Sequence, residues 1–286
     1  MADILVIGSG VMGRGIAASF ARGGARTRIV SRDPSRLKDL PAGVGAIARL
    51  PAEVPDLIVE SIPEQRELKV ACYREVEAAY PGGVPLASNT SALDLEDLAS
   101  ALSRPRFFLS IHYFMPADVT PLVEVAPVAA TDPALVPKAV KLLEQSGKRC
   151  IVLKRAVPGL LINRLQHAIL HEAYQLIDQG VATAADVDRV ARELLGPRMS
   201  LTGLIEQKDL SGLDTHAWAQ RALVPELGLS REPARCLQDL FAAGHLGIKT
   251  GRGFYDWRDR DGPAYKAASA RKLEKLLAYL DALRAE

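Results

Sequence analysis

Gly8-Ser9-Gly10-Val11-Met12-Gly13 restricts the fold of this chain more than any other feature. It is a GxGxxG pattern lying directly after an apolar run, 4–7, and opening a helix-like stretch, 13–22. In that setting each glycine has its own steric reason. Gly8 permits a tight turn, Gly10 lets a pyrophosphate approach the backbone, and Gly13 lets the helix pack closely on the strand. The helix N-terminus then offers amide N–H groups and a partial positive charge to phosphate. The turn therefore predicts a dinucleotide site built on Gly8, Gly10, Val11, Met12 and Gly13.

Further short apolar or β-branched runs follow at 27–30, 57–60, 85–88, 107–113, 122–125 and 150–153, with helical patterns at 65–79, 95–101 and 134–145 between them. Apolar runs of that kind are expected of strands buried on both faces. Their alternation with helices predicts βαβ units and a mainly parallel sheet. Beyond Val157-Pro158-Gly159 the pattern turns helical, at 161–179 and 184–195, and Leu273, Leu276, Leu277, Leu280 and Leu283 form one apolar stripe. The expected fold is α/β: a Rossmann-type doubly wound parallel sheet over residues 1–156, then an all-α C-terminal domain over 157–286. A length of 286 residues suits two domains.

Composition narrows the function. Thirty-six Lys and Arg against 34 Asp and Glu leave a formal charge of +2. That balance argues against a nucleic-acid or membrane-surface partner, either of which favours a basic face. No apolar run approaches the ~18–20 residues of a membrane helix. Cys72, Cys150 and Cys236 are far apart and odd in number, fitting neither a disulfide framework nor a zinc spacing. No metal site is expected, and His167 and His171, four apart on a helix, lack a third ligand. No basic segment precedes the apolar run 4–7, so no signal peptide is expected. The expected setting is cytoplasmic.

The end of the second strand bears on cofactor choice. A carboxylate there would accept hydrogen bonds from a ribose 2′-hydroxyl; this chain has Ser31-Arg32. Ser31 removes the repulsion that a 2′-phosphate would meet, and Arg32, with Arg36, could pair with it. NADP is thus favoured over NAD, the alternative being that Asp33 reaches the ribose and the arginines are surface charges.

Several segments occur in an order that resembles the 3-hydroxyacyl-CoA dehydrogenase family. They are Ser88-Asn89-Thr90-Ser91, His112-Tyr113-Phe114-Met115-Pro116, Leu122-Val123-Glu124-Val125, Pro158-Gly159-Leu160-Leu161-Ile162-Asn163-Arg164, Asp209-Leu210-Ser211-Gly212-Leu213-Asp214 and Lys249-Thr250-Gly251-Arg252-Gly253-Phe254-Tyr255. The resemblance implies a nicotinamide-dependent dehydrogenase of a small-molecule alcohol that forms a homodimer through its helical domain. It implies His112 and Glu124 as an acid/base pair, and Ser91 and Asn163 as hydrogen-bonding partners of the substrate oxygen. The chemistry agrees: removing a hydroxyl proton as hydride leaves suits an imidazole, and a carboxylate behind it sets its tautomer. Glu64, Lys69 and Asn89 match family positions near the cofactor, although charges at 64 and 69 also suit an exposed helical face. The Gly251-Arg252-Gly253 turn reads as structural.

The chain departs from the family twice. Met115 stands where the family usually carries Asn, which makes the surroundings of the reacting carbon less polar. The stretch from Ser31 to Glu60 is also about half the family's usual length, leaving out a charged helical arm that contacts CoA. The favoured substrate is therefore a small hydroxy acid or related alcohol without CoA. The alternatives are a short-chain 3-hydroxyacyl-CoA and, in a different class, a non-catalytic NAD(P)-binding sensor or structural protein.

Overall fold

Strand β1 (Asp3–Ile7) shows how the sheet is buried. Ile4 and Val6 point into one apolar core with Ile16 and Phe20 of helix α1 (Val11–Arg22) and Leu135, Ala139 and Leu143 of helix α4 (Leu135–Gln145). Leu5 points into a second core with Val70, Tyr73 and Val76 of helix α2 (Arg66–Ala79) and Leu95 and Leu98 of helix α3 (Leu95–Ser100). Successive strand residues face opposite sides, so a run apolar at every position feeds both layers. Each large aliphatic side chain so buried contributes roughly 1.5–3 kcal/mol.

The remaining strands are β2 (Arg26–Val30), β3 (Val44–Ile47), β4 (Leu57–Glu60), β5 (Leu86–Ser88), β6 (Phe108–Tyr113), β7 (Leu122–Pro127) and β8 (Arg149–Val152). The computed structural model describes residues 1–228 and 230–284, and its strands lie in the order β3-β2-β1-β4-β5-β6-β7-β8. All pairs are parallel except β6 with β7. This is the Rossmann-type sheet expected from the sequence. The exception matters, because the antiparallel pair sets His112 directly opposite Glu124.

The expected strand at 107–113 starts one residue later, Phe107 belonging to a single 3₁₀ turn, Pro105–Phe107. Between β2 and β3 there is one 3₁₀ turn, Pro34–Arg36, and no helix.

The chain divides into two compact units, Met1–Arg164 and Leu165–Glu286, with the division inside the first turn of helix α5 (Ile162–Asp178). The second unit is helical. Helix α6 (Ala184–Val190) runs through a π-helical turn, Ala191–Leu195, into α7 (Gly196–Thr202), so the single helix expected over 184–195 changes its winding midway. Helices α8 (Glu206–Ser211), α9 (Leu213–Leu223), α10 (Arg235–Ala242) and α11 (Gly262–Leu283) follow. The Gly251 turn, at φ +78°, precedes Phe254, which stacks on Tyr174 at 5.6 Å, and Tyr255, which donates to Asp188 at 2.7 Å. Among the described residues of this unit only Ala173 and Ala234 are buried. No described helix is long and apolar enough to cross a membrane.

Candidate active site

The phosphate-binding segment has the shape its glycines imply. Gly8 lies at φ +123°, and a Cβ there would stand 2.3 Å from the Ser61 carbonyl oxygen; one on Gly13 would stand 1.9 Å from that of Gly8. A Cβ on Gly10 would meet nothing within 4 Å, so the space above it is open. Gly10 is the N-cap of α1 with no side chain satisfying the first amides, Val11 is exposed, and Met12 packs on the core. Open space above free helix-terminal N–H groups fits a pyrophosphate.

At the end of β2, the Ser31 amide donates to the Ile47 carbonyl and Arg32 is exposed. Arg36 pairs with Asp33 at 2.8 Å, and Asp33 also accepts from Ser35 Oγ. Among the described residues the Asp33 carboxylate is thus taken up by the Ser35 and Arg36 side chains, while Arg32 has no hydrogen-bond partner.

His112 and Glu124 are both about 98% buried or more, with Nδ1 2.9 Å from Oε2. The other oxygen, Oε1, accepts from the backbone N–H groups of Leu161 at 2.9 Å and Ile162 at 2.8 Å, where α5 begins. Ser91 Oγ lies 3.1 Å from His112 Nε2, and Asn163 Nδ2 donates to the Ser91 carbonyl at 3.3 Å. The Phe114 ring packs against the imidazole, centroids 4.5 Å apart at 68°. Met115 beside it is 67% exposed. Residues 91, 112, 124 and 163, far apart along the chain, thus meet in one place.

The cofactor candidates Glu64, Lys69 and Asn89 belong to a polar network beside this group. Glu64 Oε1 accepts from Thr90 Oγ1 and from the N–H groups of Ser91 at 2.8 Å and Ala92 at 3.0 Å. Burial works against the Glu64 carboxylate, but those hydrogen bonds and the Lys69 charge outweigh it and hold its pKa below the usual range. Lys69 is not on an exposed helical face: it is 99% buried, with Nζ 2.6 Å from Glu60 Oε1 and 3.4 Å from Glu64 Oε2. Asn89 Oδ1 accepts from the Tyr113 amide at 2.8 Å, and its Nδ2 donates to Ser61 Oγ at 3.2 Å, tying β4 to β6.

Glu60 is the member that sequence reasoning missed. It is fully buried and accepts from Lys69, the Ile62 amide, Tyr73 OH at 2.6 Å and Ser88 Oγ at 2.9 Å. Burial, with the Glu60 charge, pushes the Tyr73 phenol upward, keeping it a donor. The signal was a carboxylate ending an otherwise apolar strand, which must find partners if buried.

An imidazole backed by a carboxylate, next to a turn that fits a dinucleotide, is the equipment of a dehydrogenase that works on a hydroxyl group. Comparison with known proteins makes the class definite. Residues 3–52 and 51–156 match the model for the NAD-binding domain of 3-hydroxyacyl-CoA dehydrogenase, and residues 159–257 match its C-terminal domain. The chain is 28% identical to the 5-formyl-3-hydroxy-2-methylpyridine 4-carboxylate 5-dehydrogenase of Mesorhizobium japonicum, over 95% of this chain and 96% of that protein. It is 31% identical to a probable 3-hydroxybutyryl-CoA dehydrogenase of Bacillus subtilis, over 90% and 98% respectively. Among solved structures, a 5-formyl-3-hydroxy-2-methylpyridine 4-carboxylic acid 5-dehydrogenase described as an NAD⁺-dependent dismutase matches with a TM-score of 0.91. The identity there is 26%, covering 98% of this chain and 99% of that one. The chain belongs to the 3-hydroxyacyl-CoA dehydrogenase family. It is an NAD(P)-dependent oxidoreductase acting on CH–OH groups.

Proposed function

We propose that this enzyme interconverts the 3-hydroxy and 3-keto forms of a small hydroxy acid or related alcohol that carries no CoA. The observation that carries the reading is the connection between β2 and β3, where a single 3₁₀ turn stands in place of the family's CoA-contacting arm. The likeness to the pyridine-carboxylate dehydrogenase, at a TM-score of 0.91 over nearly the whole chain, supports it. A short-chain 3-hydroxyacyl-CoA is the second reading, favoured by the 31% identity to the Bacillus subtilis protein.

In this proposal the bound nicotinamide supplies the hydride acceptor or donor. His112 Nε2 takes the hydroxyl proton during oxidation and returns it during reduction. Glu124 keeps the Nδ1 proton in place and stabilises the imidazolium. Ser91 Oγ and the Asn163 amide orient the substrate oxygen. Glu64 fixes the loop that bears Ser91, and Lys69, Glu60 and Asn89 hold that loop and its neighbours from below. Gly8, Gly10, Val11, Met12 and Gly13 receive the pyrophosphate.

Ser31 and Arg32 favour NADP over NAD, since Arg32 is an unengaged guanidinium beside a position without a carboxylate. Arg36 joins it after parting from Asp33. Residues 1–156 form the dinucleotide-binding domain, and residues 157–286 the substrate and dimerisation domain. A homodimer through the helical domain is supported by Leu201, Ile205, Leu210, Trp218 and Phe241, each 69–74% exposed in a unit with almost no buried side chains. A monomer seldom leaves that much apolar surface in water. The cytoplasm, where free thiols persist, suits Cys72, Cys150 and Cys236, all unpaired.

The test is a panel of β-keto acids, their CoA thioesters and free-acid pyridine carboxylates, run with NADH and NADPH and followed at the reduced-nicotinamide absorbance. Free acids are expected to turn over faster than thioesters. Faster turnover of acetoacetyl-CoA than of every free acid would overturn the reading.

A further inference from the structure

Lys148 is a buried cation with no direct ion pair among the described residues, the Asp118 carboxylate acting on it only through its field. It lies just before β8, is 95% buried, and is seldom the kind of residue left in such a place unpaired. Its Nζ donates to the carbonyl oxygens of Ala117 at 2.7 Å and Thr120 at 2.8 Å, and sits 5.8 Å from the centre of the Tyr113 ring. Neither carbonyl has another donor among the described residues. The ammonium therefore bridges Ala117 and Thr120, two points within the connection from β6 to β7.

The turn that holds both begins one residue beyond Met115. The Pro116 carbonyl accepts from Val119 at 3.1 Å and Thr120 at 2.9 Å, and Arg22 of α1 donates to the Asp118 carbonyl. Ala117, 97% buried, packs against α1 at Gly15, where a Cβ would come within 3.0 Å of its own. The chain leaving His112 is thus anchored at 117–120, and the short span between carries Phe114, which packs on the imidazole, and Met115, which is exposed.

We propose that Lys148 is a positioning residue: by clamping the Ala117–Thr120 turn it sets Phe114 against His112 and fixes the course of the segment that carries the exposed Met115, and so shapes the substrate side of the site. A methionine would fill the same space with no desolvation cost, but would leave both carbonyls without donors. The ammonium satisfies two acceptors that strand pairing cannot reach. The inference rests on the proposed site at His112.

The test compares the parent enzyme with Lys148→Met and Lys148→Gln, using acetoacetate and acetoacetyl-CoA as probes with the preferred nicotinamide. His112→Ala serves as the control for the site itself. KM for the better acceptor is expected to rise by about tenfold in Lys148→Met, with a smaller change in kcat and an unchanged Kd for the reduced nicotinamide. Lys148→Gln, which keeps an N–H donor, is expected to fall between. Independently of turnover, amides 117–120 should exchange faster in the variants while those of β1 and β4 keep their protection. Unchanged KM together with unchanged exchange at 117–120, or equal loosening of β1 and β4, would overturn the proposal. Full activity in His112→Ala would instead overturn the site reading, leaving the exchange measurement to judge the clamp.

Discussion

Glu124 faces His112 across the antiparallel β6–β7 pair, and its two carboxylate oxygens serve different elements. Oε2 holds the imidazole Nδ1 at 2.9 Å, while Oε1 takes the first amides of α5. One side chain therefore sets the tautomer of the candidate base and caps the helix that carries Asn163. The antiparallel register makes the first contact possible, and the chain's return at Leu161 makes the second.

Glu124→Gln separates these roles. An amide nitrogen turned toward Nδ1 needs that nitrogen unprotonated, which moves the proton to Nε2 and removes the base. The kcat for alcohol oxidation is expected to fall by about 100-fold or more, with reduced-nicotinamide affinity retained. Glu124→Ala should in addition lower thermal stability, since two backbone N–H groups lose their acceptor at roughly 1–3 kcal/mol for an unsatisfied buried group. Steady-state kinetics and a melting curve measure the two effects.

His112→Ala tests the base directly. Turnover should drop by roughly 100- to 10,000-fold, the range for losing a general acid–base group. Fluorescence titration with the reduced nicotinamide should give an unchanged Kd, because the phosphate-binding segment lies on β1 and α1. Turnover within a factor of about two of the parent would remove His112 from the mechanism.

Cofactor preference should follow the end of β2. Ser31→Asp places a carboxylate where a 2′-phosphate would lie and is expected to lower kcat/KM for NADPH by about tenfold or more, with little loss for NADH. Arg32→Ala should weaken NADPH alone. Parallel losses with both cofactors would show that the 2′-position is not read here.

Lys148 gives a pH signature. Burial, with the Arg22 charge, outweighs the opposing Asp118 carboxylate and lowers its pKa to about 8 from an ordinary value of 10.5. The unfolded chain therefore binds more protons at this group than the folded one between those values, and its contribution to stability rises as pH climbs through the window. The difference in Tm between the parent and Lys148→Met should shift toward the parent by a few degrees from pH 7.5 to about pH 10. A constant difference would contradict this.

Two of the three cysteines, Cys72 and Cys150, should be unreactive. Burial, with the Glu60 and Glu75 charges, pushes the Cys72 thiol up to about 12; burial, with Glu144, pushes Cys150 to about 11. Because the thiolate is the nucleophile, iodoacetamide at neutral pH should leave both unlabelled in the folded enzyme. Mass spectrometry reads the outcome, and rapid labelling of Cys72 would contradict the packing around Glu60.

How legible the chain was depends on the range of the forces involved. The GxGxxG turn could be read directly because two of its constraints are local, the positive φ at Gly8 and the close approach of Gly13 to the Gly8 carbonyl. The strands were readable because burial on both faces leaves an apolar residue at nearly every position. His112 and Glu124 could be named from their motifs, but their contact depends on a strand reversal that periodicity does not reveal. Lys69 read equally well as an exposed helical charge, and Glu60 drew no notice.

By itself, then, the sequence determined the sheet, the dinucleotide turn and the residue types from which a hydroxyl-directed site can be made. Those follow from short-range sterics and from the periodicity of burial. Only the tertiary structure decided which charges leave water. Lys69 meets Glu60 from a different element, and Lys148 meets Ala117 across 31 residues. A buried charge must find partners wherever packing puts them, and packing brings together residues that no local pattern in the chain connects.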